Sequence, residues 1–308
     1  MSRVLVTGAS GFIGIPLLRA LAEQGEEVHA LARHDPPAEV TDLAAVRWHR
    51  LDLADERSLV ELLGVIEPER LIHLAWYVEH GRFWTAPENV VWVERSLSLL
   101  RAFAQAGGQR AVLLGTCAEY DWSDAGEPLS ELRSPLAPAT LYGVAKDSLR
   151  RLASAYSEQA GFELAWGRLF FLYGPREAPG RLVAAVIRSL LAGEQVQTSS
   201  GTQRRDFLHV DDVGRALAAL AASTAVGPVN IASGEAVAIG EVVDRIAALT
   251  GREELVLRGA RADAPNDPPL LAADAARLRD EVGFAARLTL DEGIAQTVEW
   301  WRAEAARR

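Results

Sequence analysis

The sequence predicts an α/β fold, a doubly wound parallel sheet with a smaller C-terminal lobe. Two observations support this prediction. Short apolar runs alternate with segments of helical spacing through the first half of the chain, which is the pattern of βαβ units. A glycine-rich turn at residues 8–14 separates the first apolar run from the first helical segment. The length of 308 residues suggests one large domain or two intimate ones, at roughly 150 residues each.

The individual elements follow from hydrophobic periodicity. Short apolar runs predict buried strands, and apolar residues three and four apart predict helices. The predicted strands are 3–7, 27–31, 46–50, 70–73, 111–116 and 162–171. The predicted helices are 12–24, 58–66, 89–106, 142–159 and 291–306. Gly107 and Gly108 indicate the end of the third helix, because glycine readily adopts the left-handed conformation of a C-cap.

The pattern changes after residue 161, where proline and glycine become more frequent. We therefore predict a nucleotide-binding domain over 1–165, with a return segment near 206–232. A smaller lobe is predicted over 166–205 and 233–308. Asp211 and Asp212 are predicted to cap a helix within the return segment.

Composition excludes several classes of function. The 32 basic and 42 acidic residues give a net charge of −10, so a nucleic-acid partner is not expected. One cysteine, Cys117, excludes an intramolecular disulfide and a cysteine-rich metal site, and the six histidines show no metal-binding spacing. No apolar run is long enough to span a membrane, and the N-terminus shows no signal peptide. We expect a cytoplasmic protein without a membrane or metal partner.

Gly8, Gly11 and Gly14 form a GxxGxxG pattern between the first strand and the first helix. Glycines at such a junction allow a tight turn and a close approach of the backbone to a pyrophosphate. The helix N-terminus adds N–H donors and a partial positive charge. A glycine triplet can also form a simple turn, but its position here predicts nucleotide binding.

Arg33 at the end of the second predicted strand indicates which nucleotide is bound. Folds of this kind place an acid there to bind the ribose 2′-hydroxyl of NAD, or an arginine to bind the 2′-phosphate of NADP. No acid occurs before Asp35. The sequence therefore favours NADP(H), with NAD(H) as the alternative if Arg33 is only a solvated surface residue.

Asp52 follows the third predicted strand and is predicted to accept a hydrogen bond from the adenine amino group. The alternative is an ordinary acid before a helix, because Asp55 and Glu56 lie just beyond it.

Tyr142 and Lys146 form a YxxxK pair at the start of a predicted helix. Their spacing places both side chains on one helix face. A nearby ammonium is expected to lower the pKa of the tyrosine phenol, which makes Tyr142 a candidate acid or base for a carbonyl or alcohol. Thr116 ends the fifth predicted strand, at the edge of a parallel sheet where ligands bind. We predict that these three residues are catalytic.

With these motifs in order along nearly the whole chain, the sequence resembles the extended short-chain dehydrogenases/reductases of the NAD-dependent epimerase/dehydratase family. The resemblance implies a Rossmann-type fold, a nucleotide-sugar substrate bound by the C-terminal lobe, and a homodimer formed through helices 89–106 and 142–159. It also implies that Lys146 contacts the nicotinamide ribose and that Arg205 contacts the substrate diphosphate. The matching segments are 7–14, 73–75, Thr116, Tyr142 with Lys146, 174–177 and 205–212. The predicted cofactor-binding residues are Gly8, Ser10, Gly11, Phe12, Ile13, Gly14, Arg33, Asp52, Leu53, Leu74, Ala75, Tyr142 and Lys146.

Departures from the family pattern narrow the reaction. Related 4,6-dehydratases carry Asp-Glu directly after the catalytic threonine, whereas this chain reads Thr116-Cys117-Ala118, with Glu119 one position too far along. Dehydration is therefore not expected. The segment around Thr116 resembles the sugar 4-ketoreductase branch, so we predict NADPH-dependent reduction of a nucleotide-diphosphate 4-keto-6-deoxyhexose. The alternatives are a redox-neutral 4-epimerase that holds NAD tightly, reduction of a small aldehyde or ketone that carries no nucleotide, and a non-catalytic NADP-binding sensor.

The substrate side of the site also departs from the family pattern. Phe171 stands where family members often have asparagine, and the segment after the fourth strand contains Trp76, Tyr77, Phe83, Trp84 and Trp92. In the family this segment borders the sugar pocket, although these aromatic residues can equally pack the loop. His73 is given no role in proton transfer. The predicted substrate-binding residues are Cys117, Glu119, Phe171, Arg205 and Trp84.

Overall fold

A computed structural model describes residues 2–123, 126–265 and 267–307. The strands are β1 Arg3–Thr7, β2 Glu27–Ala32, β3 Val46–Arg50, β4 Arg70–His73, β5 Arg110–Thr116, β6 Glu163–Leu169, β7 Phe171–Tyr173, β8 Val196–Gln197, β9 Arg204–His209, β10 Gly227–Ile231, β11 Ala236–Ala238, β12 Val256–Leu257 and β13 Leu270–Leu271. The helices are α1 Gly14–Glu23, α2 Glu56–Ile66, α3 Glu88–Gln105, α4 Leu141–Ala160, α5 Leu182–Leu191, α6 Val210–Ala222, α7 Ile239–Thr250, α8 Ala276–Asp280 and α9 Leu290–Ala306.

A parallel sheet in the order β10-β6-β5-β4-β1-β2-β3 forms the centre of the molecule. This confirms the predicted doubly wound fold. The chain leaves β1 towards β2 and β3 on one side and reaches β4 and β5 on the other, so the order reverses between β1 and β4. Ligands of such sheets bind at this reversal, beyond the C-terminal strand ends.

The predicted strand 162–171 is interrupted at Phe170. Its first part, β6, pairs with β5 and β10 in the large sheet, whereas β7 pairs with β9 in a smaller sheet. Both parts are apolar and mostly buried, so hydrophobicity alone could not show that the chain changes sheets within this run.

Helices cover both faces of the large sheet, as expected for buried parallel strands. One buried cluster joins the sheet to α1 and α6, through residues such as Leu17 and Leu217. A second joins the opposite face to α2, α3 and α4, through Leu63, Phe103 and Leu149. This packing fixes the strand ends from which the site is built.

The smaller lobe consists of the sheet of β7, β9, β11 and β13 and a cluster of α5, α7 and α9. Buried carboxylates connect it internally and to the large sheet. Asp206 accepts the N–H groups of Ser233 and Gly234 at 2.8 and 2.9 Å. Asp212, fully buried on α6, accepts the N–H groups of Arg287 and Leu288.

The prediction that Asp211 and Asp212 cap a helix is wrong. Both lie in the first turn of α6, and His209 is the N-cap residue, since its Nδ1 accepts the N–H of Asp211. The helix uses the second acid to hold the C-terminal segment instead.

Several elements cross the predicted domain boundaries. β6 continues to Leu169, beyond residue 165, and β9 of the smaller sheet begins before the return segment at 206. Within the part of the chain that the structure describes, no helix has both the length and the apolar character to cross a membrane.

Candidate active site

The glycine turn between β1 and α1 brings backbone close to the strand ends. Gly8 has a φ of +70°, and a Cβ there would lie 2.8 Å from the backbone nitrogen of Ala75, beyond β4. A Cβ at Gly14 would overlap the carbonyl oxygen of Ala9. Glycine is therefore required at both positions by the close approach of the turn to its neighbours.

A cavity of about 210 Å³ lies beside this turn, at the C-terminal ends of β1, β2 and β4. Its lining combines the turn with strand ends on both sides of the reversal in sheet order. The residues that line it are Thr7, Gly8, Ser10, Gly11, Leu31, Ala32, Arg33, His34, Leu51, Asp52, Leu53, Ala75, Trp76 and Trp92. The residues present therefore fit a dinucleotide whose pyrophosphate rests on the turn.

Six of the predicted cofactor residues do not line this cavity, among them Tyr142 and Lys146 on α4. Phe12, Ile13 and Leu74 are half-buried against the core cluster of α1 and α6, and Gly14 is buried in the first turn of α1. The side chains of Phe12, Ile13 and Leu74 pack against the core, and Gly14 has no side chain, so any contact of these four residues with a cofactor would come from backbone groups.

Polar groups line the end of the cavity beyond β2 and β3. Arg33 is exposed and belongs to the lining, whereas Asp35 forms an exposed ion pair with Arg50, at 3.9 Å. Asp52 accepts the N–H of Ala54 at 2.9 Å and lies 3.9 Å from Arg95. One face of this end is thus cationic at Arg33, and the other offers a carboxylate acceptor.

The three predicted catalytic residues meet where β5 ends and α4 begins. Thr140 caps α4 by accepting the N–H of Gly143, which fixes the first turn containing Tyr142. Burial raises the pKa of Tyr142 far above its usual value, while the Thr116 hydroxyl lowers it in part through a hydrogen bond. Tyr142 is therefore protonated at neutral pH and is suited to donate a proton.

Lys146 lies one helical turn further along α4 and is almost completely buried. Its ammonium donates to the carbonyl oxygen of Leu114 at 2.9 Å and lies 3.7 Å from the centroid of the Trp76 ring. Burial lowers the pKa of Lys146 to about 7, with the charge of Glu119 acting in the opposite direction.

The expected lowering of the Tyr142 pKa is not found, because burial outweighs the groups that act to lower it and the pKa is raised. A positive charge that acts in the lowering direction comes from Arg181, the N-cap residue of α5. The Lys146 ammonium contacts the carbonyl oxygen of Leu114 and the Trp76 ring.

Glu119 requires a correction, because it was predicted to bind substrate. Its side chain is fully buried and accepts hydrogen bonds from Arg168 at 2.7 Å, from the Trp166 indole at 3.0 Å and from the Thr116 backbone N–H at 2.9 Å. No part of the carboxylate is accessible to a substrate. Glu119 instead fixes the end of β5, and with it the position of Thr116.

The other predicted substrate residues form two groups. Trp84 is 37% exposed and packs edge-on against Tyr142, with ring centroids 5.8 Å apart. The Arg205 guanidinium lies 5.6 Å from the Phe171 ring centroid. Its charge also acts on the buried thiol of Cys117, whose pKa burial raises to about 12.

Arg205 is itself nearly buried, which departs from the expectation of an open diphosphate contact. Its guanidinium donates to Asp267 at 2.5 Å and to the carbonyl oxygen of Pro268 at 2.9 Å. A diphosphate would have to replace Asp267 to reach it.

Three tryptophans have contacts at the site that the sequence did not predict. The sequence also contains a signal that was not used, its single lysine. Trp76 and Trp92 line the cofactor cavity, and Trp122 donates to the carbonyl oxygen of Cys117 while packing on Trp84. Lys146 is the only lysine of the chain, the other 31 of its 32 basic residues being arginine. A single lysine in so arginine-rich a sequence indicates a position that needs a compact ammonium group.

Two further observations limit the site. A cleft of about 620 Å³ between Glu127, Ser233 and Asp274 contains none of the predicted site residues. Among the residues described, no three His, Cys, Asp or Glu side chains are grouped so as to hold a metal ion.

Residues 4–240 match the model of the NAD dependent epimerase/dehydratase family. The chain belongs to this family. The match includes the glycine turn, the strand ends, Tyr142 with Lys146, and Arg205, so it confirms the resemblance and places the protein among enzymes that use a nicotinamide dinucleotide.

Relatives within the family catalyse different reactions. The chain is 29% identical to the dTDP-4-dehydro-6-deoxy-D-allose reductase of Streptomyces bikiniensis, covering 97% of this chain and 96% of the relative. It is also 29% identical to a dTDP-glucose 4,6-dehydratase of Streptomyces griseus, covering 97% and 94%. The solved structure of MoeE5 in complex with UDP-glucuronic acid and NAD is 35% identical, with a TM-score of 0.84 and 98% and 99% coverage.

Proposed function

We propose that the protein reduces a nucleotide-diphosphate 4-keto-6-deoxyhexose at C4 with NADPH. The observation that carries this proposal is the cationic end of the cofactor cavity, where Arg33 and His34 line the wall and Asp35 pairs with Arg50 instead. An arginine here suits a 2′-phosphate, which a carboxylate would repel. A preference for NADPH favours net reduction over a reaction that regenerates its own cofactor.

The residues after Thr116 support reduction over dehydration. Expelling a hydroxyl as water needs accessible acids beside the sugar, and Cys117 and Ala118 supply none. Glu119 is buried in its pair with Arg168. The similarity to a 4-keto reductase along nearly the whole chain agrees with this proposal.

In the proposed reaction, bound NADPH supplies a hydride to the carbonyl carbon. The Thr116 hydroxyl holds the carbonyl oxygen by a hydrogen bond, and Tyr142 transfers its phenolic proton to the same oxygen as it becomes an alkoxide. Lys146 binds the hydroxyl groups of the nicotinamide ribose. Positioning and a preorganised donor supply the catalysis.

Substrate and cofactor assays test this proposal directly. The purified protein is mixed with NADPH or NADH and a dTDP-4-keto-6-deoxyhexose, and the nicotinamide absorbance is followed. We expect loss of the NADPH band only when substrate is present, with much slower loss of NADH. Release of firmly held NAD from the protein, with no net consumption of either cofactor, would contradict net reduction.

Arg33→Ala tests the choice of cofactor. We expect NADPH to bind roughly 10- to 100-fold more weakly, because a charged hydrogen-bonded contact is lost, while NADH binding changes little. Fluorescence titration of both cofactors measures this. Arg57→Ala, an exposed arginine on α2 paired with Glu61, is the matched control. Equal weakening for both cofactors would show that Arg33 does not recognise the 2′-phosphate.

A redox-neutral nucleotide-sugar 4-epimerase is the second candidate. It is favoured by the likeness to MoeE5, which was solved with UDP-glucuronic acid and NAD. Incubation with UDP-glucuronic acid and NAD, with the products separated by chromatography, distinguishes the two candidates. Formation of an isomeric product without net oxidation would favour the epimerase.

We also propose a homodimer formed through α3 and α4. These helices pack side by side and expose apolar side chains, including Val90 and Val91 on α3 and Val144 and Leu152 on α4. Apolar patches of this kind typically mark interfaces. Light scattering should give a dimeric mass for the wild-type protein and a monomeric mass for Leu152→Arg. An unchanged mass would place the interface elsewhere.

A further inference from the structure

Trp76 is held in one orientation by the loop that follows β4. Its indole N–H donates to Oδ1 of Asn89 at 2.9 Å, and the Asn89 amide donates to the carbonyl oxygens of Phe83 and Ala86 at 2.7 and 2.9 Å. Asn89 is fully buried and Trp76 is 9% exposed. The indole ring is therefore a fixed part of the lining of the cofactor cavity.

The Lys146 ammonium lies over this ring. The distance from Nζ to the ring centroid is 3.7 Å, well inside the range at which a cation is attracted to an aromatic face. One ammonium hydrogen goes to the carbonyl oxygen of Leu114. The carbonyl and the ring thus hold the cation from two directions.

We propose that Trp76 is a positioning residue for the reaction, whose indole face holds the Lys146 ammonium in place and in its charged form beside the cofactor cavity. The proposal rests on the proposed function only in giving Lys146 a role in the chemistry. Trp76 directly follows Ala75 in the sequence. The cofactor and substrate predictions gave this aromatic residue no role, and positioning of Lys146 supplies one.

The groups around Lys146 determine the sign of the expected effect. Glu119, beyond β5, favours the ammonium, and burial disfavours it. His73 on β4 is neutral, because burial first and the Lys146 charge second lower the pKa of His73 to about 3; Tyr142, on the same helix face, is also neutral. The indole face adds to the effect of Glu119. Removing it should lower the pKa of Lys146, so the charged form is lost at a lower pH.

Lys146 can be observed selectively because it is the only lysine in the chain. Labelling with ¹³Cε-lysine gives one side-chain signal, and its pH dependence gives the pKa of this residue. In the wild-type protein we expect upfield-shifted ε-protons, since they lie against an indole face. In Trp76→Leu we expect the upfield shift to disappear and the midpoint to fall by roughly half to one pH unit.

Trp76→Phe keeps a smaller aromatic face and is the matched variant, with an intermediate midpoint expected. The alkaline limb of the kcat pH profile should move in the same order, since activity that requires charged Lys146 is present below its pKa and lost above it. Wild-type ε-protons without an upfield shift would overturn the proposal even if Trp76→Leu does not fold. So would a folded Trp76→Leu protein with an unchanged midpoint.

The signal of Lys146 is measured without substrate or turnover. A failure of the proposed reduction would therefore leave the shifted ε-protons and the midpoints unaffected. A failure of this inference would leave the NADPH assay unaffected.

Discussion

Replacing Tyr142 with Phe is expected to lower kcat by roughly 10²- to 10⁴-fold, the usual contribution of a positioned proton donor. The substitution removes only the hydroxyl that interacts with Thr116. The ring packs edge-on against Phe83 and Trp84, and these contacts remain. Steady-state turnover measures the loss, and fluorescence titration with NADPH should show nearly unchanged cofactor affinity.

Tyr156→Phe is the matched control, because Tyr156 lies on the same helix and packs on Phe162 away from the site. It should retain wild-type turnover. If Tyr142→Phe kept full activity, the tyrosine would not be the proton donor. A wild-type protein that bound NADPH but turned over neither keto sugars nor uronic acids would instead support the non-catalytic sensor.

Replacing Arg168 with Met is expected to lower the free energy of unfolding by about 3–5 kcal/mol, because it leaves the Glu119 carboxylate buried without its cation. Arg168 is 1% exposed and Glu119 is fully buried. Arg168 also donates to the Tyr120 hydroxyl at 3.1 Å, and its guanidinium lies 4.6 Å from the Tyr120 ring centroid. Urea denaturation followed by circular dichroism measures the change.

A double variant separates the loss of charge from the loss of packing. Adding Glu119→Gln to Arg168→Met removes the unpaired charge, so the double variant should be more stable than Arg168→Met alone. Arg57→Met, at an exposed position on α2, should change stability by less than 0.5 kcal/mol or so. If Arg168→Met were as stable as this control, the buried pair would not hold the end of β5.

Most of the main sheet could be predicted from the sequence, because β1, β2, β4 and β5 are mostly buried and read as short apolar runs. The bounds of β1, β3 and β4 are the predicted ones, whereas the edge strand β10 was not predicted. The break at Phe170 could not be predicted, since β6 and β7 have the same apolar character and differ only in their partners. Pairing between distant strands leaves no local signal.

The positions of charged side chains in the candidate site were harder to predict from the sequence than the position of the glycine turn. The glycine turn is specified locally, by a tight turn and close backbone contacts. Glu119, three residues after Thr116, was expected in the pocket, but Trp166 and Arg168, distant in sequence, bury it. Arg205 was expected to be open, but Asp267 covers it. Sequence distance from a catalytic residue does not show which side of the strand end a side chain occupies.

The sequence by itself determined the α/β fold, the glycine turn, the family, and the tyrosine and lysine of the site, because each depends on local periodicity or short spacing. The tertiary structure alone decided where the charges lie. It buried Glu119 against Arg168, placed Arg205 on Asp267, and placed the Lys146 ammonium over the Trp76 ring. The physical reason is that a buried charge must find its partner wherever the fold supplies one, and these partners come from different strands and loops.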